Sequence, residues 1–183
     1  QQGRKEIEQL VDYAISDKTY LYRDETAAIY TYILFYQFND KEGALAQFNR
    51  FALNHTDHPL MAFLKASIYQ RAGKNDACLD VLNSMKTDPG HLSFHYLEFM
   101  KGRAYLNKQD SRARIHLLNF VQKFNGQHFI KEAYQKLAWY ELSMNNDVVA
   151  YKKYMAECQN KGKALVDEDK QADKEAKSGK VPF

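Results

Sequence analysis

His91 and His95 stand four residues apart, the spacing that puts two imidazoles on one helix face, as a metal pair requires. A zinc peptidase would place a glutamate after the first histidine and add a third ligand. Neither is present, so the two read as helix-start and surface histidines. His55, Asp57 and His58 crowd a turn, where solvated polar side chains are routine. Asp167, Glu168 and Asp169 form an acidic run, but consecutive residues do not face each other on a helix, and the run reads as a solvated face. Asn54-His55-Thr56 has the spacing of a glycosylation acceptor, which matters only for a chain secreted from a eukaryote. Lys101, Arg103, Lys108, Arg112 and Arg114 gather around one turn against Asp110 alone, a corner that offers a place for an acidic peptide or a phosphate backbone. Arg112 and Arg114 project in different directions, so this corner is expected to be solvated surface, and nucleic acid is not the expected partner. No phosphate-binding glycine loop, nucleophile elbow, HExxH or CxxC occurs. No catalytic residue, metal ligand or cofactor is therefore assigned, and the chain is expected not to be an enzyme.

The elements that would position such residues are helical. With 183 residues, the chain suits one domain or a short array of repeats. Three prolines and eight glycines leave little room for the turns of a β-sandwich, and alternation never persists as a strand requires. A net charge of +3 neither demands nor excludes an anionic partner. No apolar run approaches the ~18 residues of a membrane span, and no signal-peptide pattern is present. Cys78 and Cys158 are isolated, which reads as buried free thiols and leans towards a reducing, cytoplasmic compartment.

Start signals divide the chain into a leading helix, "RKEIEQLVDYAI", and eight more. Asp24, Asp40, Asn75, Asp110 and Asn146 supply side chains that accept from free helix N–H groups, while Pro59 and Pro89 stand at first turns. The eight helices form four pairs. Ala66, Gly102 and Ala138 lie 36 residues apart, and Tyr69 and Tyr105 each follow by three. Cys78, Ala113 and Ala150 return a small residue on the second helix, with Leu82, Leu117 and Tyr154 four further on; Ala44 and Phe48 match in the looser first pair, where Tyr32 replaces the small residue. Glycine in mid-helix costs about 1 kcal/mol relative to alanine. Gly102 is therefore expected to be a packing residue, facing Ala113 across a close crossing within its pair.

This pattern resembles the tetratricopeptide repeat, best in Ala66-x-x-Tyr69-x-x-x-Gly73-x-x-x-x-Cys78-x-x-x-Leu82 and again in Leu137-Ala138, Asn145, Ala150 and Tyr154. The resemblance implies an all-α right-handed solenoid of about four helix–turn–helix pairs over residues 1–160, and a non-catalytic scaffold for proteins or peptides. Residues 161–183 carry six lysines against five acids and read as a charged C-terminal helix, from about Ala164 to Lys177, or a linker.

In such a stack the first helix of each pair lines an inner groove. Rotating about 100° per residue from the Gly102 direction selects Tyr96, Phe99, Arg103, Leu106 and Asn107. The equivalent places are Ile29, Ile33 and Tyr36; Phe63, Ser67, Gln70 and Arg71; and Gln135, Trp139, Leu142 and Ser143. Leu106, Leu142 and Ile33 are expected to be core. The ligand-facing set is Phe63, Gln70, Arg71, Tyr96, Phe99, Arg103, Asn107, Gln135 and Trp139, rich in the aromatic and arginine side chains that anchor interfaces. A tetratricopeptide groove that grips a C-terminal carboxylate uses lysine, arginine and asparagine at these places; most here are apolar or amide, so that mode is not expected. Three rivals are a helical accessory part of a larger protein, an enzyme or metal protein using His91 and His95, and anion or nucleic-acid binding at the basic corner.

Overall fold

The computed structural model describes residues 2–17, 19, 21–50, 59–85 and 92–181. Among these the protein is all-α, with ten helices and no strand: α1 (Gln2–Ser16), α2 (Arg23–Tyr36), α3 (Lys41–Arg50), α4 (Pro59–Arg71), α5 (Asn75–Ser84), α6 (Leu92–Asn107), α7 (Arg112–Lys123), α8 (Ile130–Asn145), α9 (Val148–Asn160) and α10 (Asp167–Ser178). None of the described helices is long and apolar enough to cross a membrane. The chain divides into two compact units, Gln1–Lys86 and Thr87–Phe183. In the first, α2 packs on α1 and α3, and α4 on α3 and α5; in the second, α7 and α8 pack together, with α6 against α7 and α9 against α8. The C-terminal helix α10 lies on α8 and α9.

The helix pairs α2/α3, α4/α5, α6/α7 and α8/α9 are joined by turns of one design. Each contains a residue in the left-handed region: Asn39 (φ 51°), Gly73 (φ 75°), Gln109 (φ 54°) and Asn146 (φ 50°). The next residue's N–H returns to a carbonyl of the helix just ended: Asp40 to Leu34, Lys74 to Tyr69, Asp110 to Tyr105 and Asp147 to Glu141. Such a closure satisfies carbonyls left open at a helix C-terminus. In three of the four, that next residue is an aspartate whose Oδ1 accepts from a backbone N–H opening the following helix: Gly43 at 2.8 Å, Arg112 at 2.9 Å and Ala150 at 2.9 Å. One dipeptide thus ends one helix and begins the next. The last capping residue is Asp147, where Asn146 was expected, because Asn146 is taken up by the left-handed turn. Pro89 and the side chain of Asp24 lie outside the described part.

Two cores fill the units. Val11, Tyr30, Leu34, Phe35, Leu45 and Ile68 centre the first; Leu117, Phe120, Ile130, Leu137 and Tyr151 lie in the second. Gly102 is a packing residue, as its position required. A Cβ there would stand 2.6 Å from Leu117 Cγ and 3.1 Å from the Leu117 backbone nitrogen. The contact is therefore Leu117, one turn beyond the expected Ala113. Cys78 and Cys158 are both buried thiols outside any disulfide, and burial pushes the Cys158 thiol up to about 12.

Candidate functional site

The second unit contains an open groove of about 680 Å³. α6 contributes Arg103, Leu106 and Asn107, and Gln109 follows it on the left-handed turn. α8 contributes Lys136, Trp139, Leu142 and Ser143, while the C-terminal segment adds Glu175, Ser178 and Lys180. Positions separated by three and four residues share a helix face, which is why Arg103, Leu106 and Asn107 act together, as do Lys136, Trp139 and Ser143. The pairs Arg103/Trp139, Leu106/Leu142 and Asn107/Ser143 each repeat at 36 residues, so α6 and α8 present the same register to one space.

Charge in this groove is arranged in layers. Glu132 is buried beneath it, 3% exposed, with Oε1 3.4 Å from Arg103 Nε and 3.9 Å from Lys136 Nζ. Burial pushes the Glu132 carboxyl up, against the pull of Arg103 and Lys136. Its Oε2 has no hydrogen-bond partner among the described residues. Burial likewise pushes the Lys136 amine down, with Glu132 opposing and Arg103 reinforcing. That amine sits 3.9 Å from the centroid of the Trp139 ring, a cation–π contact. The indole Nε1 donates to Glu175 Oε1 at 2.7 Å, and Gln135 Nε2 donates to Glu175 Oε2.

The α8 end below the groove is fixed by α10. Phe129, at φ 61°, is a bulky residue in a region that such residues rarely occupy. Its ring stacks on Phe99 at 5.2 Å, and its N–H donates to Asp169 Oδ2 at 2.8 Å. Asp169 Oδ1 accepts from Glu132 N at 3.1 Å, so one carboxylate, wholly buried, caps the first turn of α8 from another helix. Burial pushes the Asp169 carboxyl up, opposed by those two N–H groups. Lys131 Nζ donates to the Cys158 and Gln159 carbonyls, at 2.7 and 3.0 Å, and pairs with Asp173 at 2.8 Å, closing the C-terminal end of α9.

Of the residues read as ligand-facing, Arg103, Asn107 and Trp139 line this groove together. Phe99 does not: it is 2% exposed, held between Phe120 and Phe129 in the core. Gln135, 36 residues on, is likewise buried, under Glu175. The groove-facing residue of that turn is its neighbour Lys136. Tyr96 packs on Phe120, Phe124 and Phe129. Leu106 and Leu142, expected in the core, both reach the groove, although Leu142 is also buried. In the first unit Gln70 is buried, Phe63 is half-buried, and Arg71 is exposed with its guanidinium 5.2 Å from the Phe35 and Tyr36 rings. Nothing in the sequence pattern pointed to Gln109, Lys136, Glu175, Ser178 or Lys180. The last three belong to a segment without the repeat, so no register could select them.

The basic corner is partly neutralised. Arg112 is held by Asp110 at 2.6 Å, and with its N–H donors holds that carboxyl down to about 2. Arg114 pairs with Glu141 at 2.7 Å, and Arg103 with Glu132. His91, His55, Asp57, His58 and Asn54-His55-Thr56 lie outside the described residues. Among those described, no three His, Cys, Asp or Glu side chains are grouped to hold a metal ion. Comparison with family models, curated proteins and solved structures gives no significant match.

Proposed function

We propose that this chain is a tetratricopeptide-like helical repeat protein that binds a peptide segment of a protein partner, without catalysis, in the groove between α6 and α8. The observation that carries the reading is the shared register. Arg103, Leu106 and Asn107 of α6 and, 36 residues on, Trp139, Leu142 and Ser143 of α8 line one groove. A groove of several hundred Å³ with an apolar floor and a few directed polar groups suits a peptide's side chains. The recurring turn, a left-handed residue followed by a helix-opening one, supports the repeat reading and the solenoid it implies.

The test is affinity capture from a lysate of the source organism, comparing wild type with an Arg103→Glu, Trp139→Ala variant of equal helicity by circular dichroism. Partners held by the wild type and lost by the variant are the expected result. Identical captures would remove the groove from the account and favour a helical accessory part of a larger protein.

A further inference from the structure

The lining of the groove carries three cations, Arg103, Lys136 and Lys180, against one carboxylate, Glu175. Glu132 serves both Arg103 and Lys136 from beneath, through one oxygen and at the outer range of an ion pair. Glu175 is the carboxylate among the lining residues, and its two oxygens accept from neutral donors, Trp139 and Gln135. No carboxylate among the described residues lies within ion-pair distance of Lys180. Arg103 adds to the burial that pushes the Lys136 amine down, against the opposing pull of Glu132, Glu175 and Glu168. A further anion between Arg103 and Lys136 would favour the charged amine.

The neighbouring surface sets the rest of the ligand. Leu106, Leu142 and the indole of Trp139 give an apolar floor beside the cations. A phosphate backbone would have no use for that apolar floor.

We propose that the groove takes an acidic peptide segment, an internal aspartate or glutamate facing Arg103, Lys136 and Lys180 and a large apolar neighbour lying on Leu106, Trp139 and Leu142. This rests on the peptide-binding reading above. The preference comes from charge complementarity, which sets partner choice and register more than total affinity.

Short random peptides displayed as internal segments of a carrier protein would be selected on the full chain. Enriched sequences, synthesised with both termini blocked and without tryptophan, would then be titrated against the emission of Trp139, the chain's single tryptophan. The expected result is enrichment of acidic residues beside large apolar ones, with binding that weakens as salt rises. Replacing the acids by their amides should weaken binding about tenfold or more, and Lys136→Gln should do the same. Lys180→Gln, which breaks no ion pair among the described residues, should weaken it several-fold. Enrichment of basic or purely apolar peptides, or equal binding of the amide versions, would overturn the acidic preference and leave the peptide reading standing. Binding that needs a free C-terminal carboxylate would overturn it too. No enrichment at all would overturn it, and the peptide reading would then stand or fall on the capture comparison.

Discussion

At the scale of single residues, Gly102 tests the packing and Glu98 the electrostatics. A Cβ at 102 would press on a Leu117 side chain that is fully buried and on its backbone. Gly102→Ala should therefore destabilise the protein by about 1–3 kcal/mol in urea unfolding, despite the better helix propensity of alanine. In a Leu117→Ala background the same substitution should cost much less, since the obstructing side chain is gone. Burial pushes the Glu98 carboxyl up, but hydrogen bonds from His116 and Asn119, at 3.0 and 3.1 Å, outweigh it and leave the group below its ordinary 4.5. A carboxyl depressed on folding stabilises above its unfolded value, and that contribution fades as pH falls from 4.5 through the lower folded value. Acid unfolding monitored by circular dichroism should accordingly be less steep in that interval for Glu98→Gln than for wild type. The direction of Gly102 was legible in the sequence from its spacing to Ala66 and Ala138. Its contact was not, because a one-turn difference between Ala113 and Leu117 depends on the axial offset of two helices, which residue spacing does not encode.

At the scale of elements, the helices and their order followed from capping and helical spacing, and the groove-facing sides of α6 and α8 were readable from Arg103, Asn107 and Trp139. The reading failed one turn earlier. Phe99 and Gln135 were assigned to the groove by the same rotation, yet Phe99 is covered by Phe129 in its left-handed turn and Gln135 by Glu175. Both covering residues come from outside the repeat pattern, so periodicity carried no sign of them. Helix α10 shows the same limit: its charges suggested a solvated face, whereas Asp169, Ala172 and Ala176 are buried. Asp169→Ala removes the acceptor for two N–H groups at the start of α8 and should cost about 1–2 kcal/mol, read by thermal or urea unfolding. Asp169→Asn, which keeps an acceptor and avoids a buried charge, should cost less.

At the scale of the molecule, fold class was the most legible property, since scarce glycine and proline, helical spacing and the absence of alternation all agree on an all-α chain. The division after Lys86 was not foreseen; the repeat spacing runs from Ala66 to Gly102 across it without a change in composition. The functional account concentrates on the second unit, where the groove, its layered charges and the cap from α10 occur together. Amide hydrogen exchange, measured on the whole chain with and without a captured partner or selected peptide, tests that assignment most directly. Slowed exchange over residues 103–109 and 136–143, together with a changed Trp139 emission, is the expected result. Protection confined to α1–α5, with residues 103–109 and 136–143 exchanging as in the free protein, would contradict it.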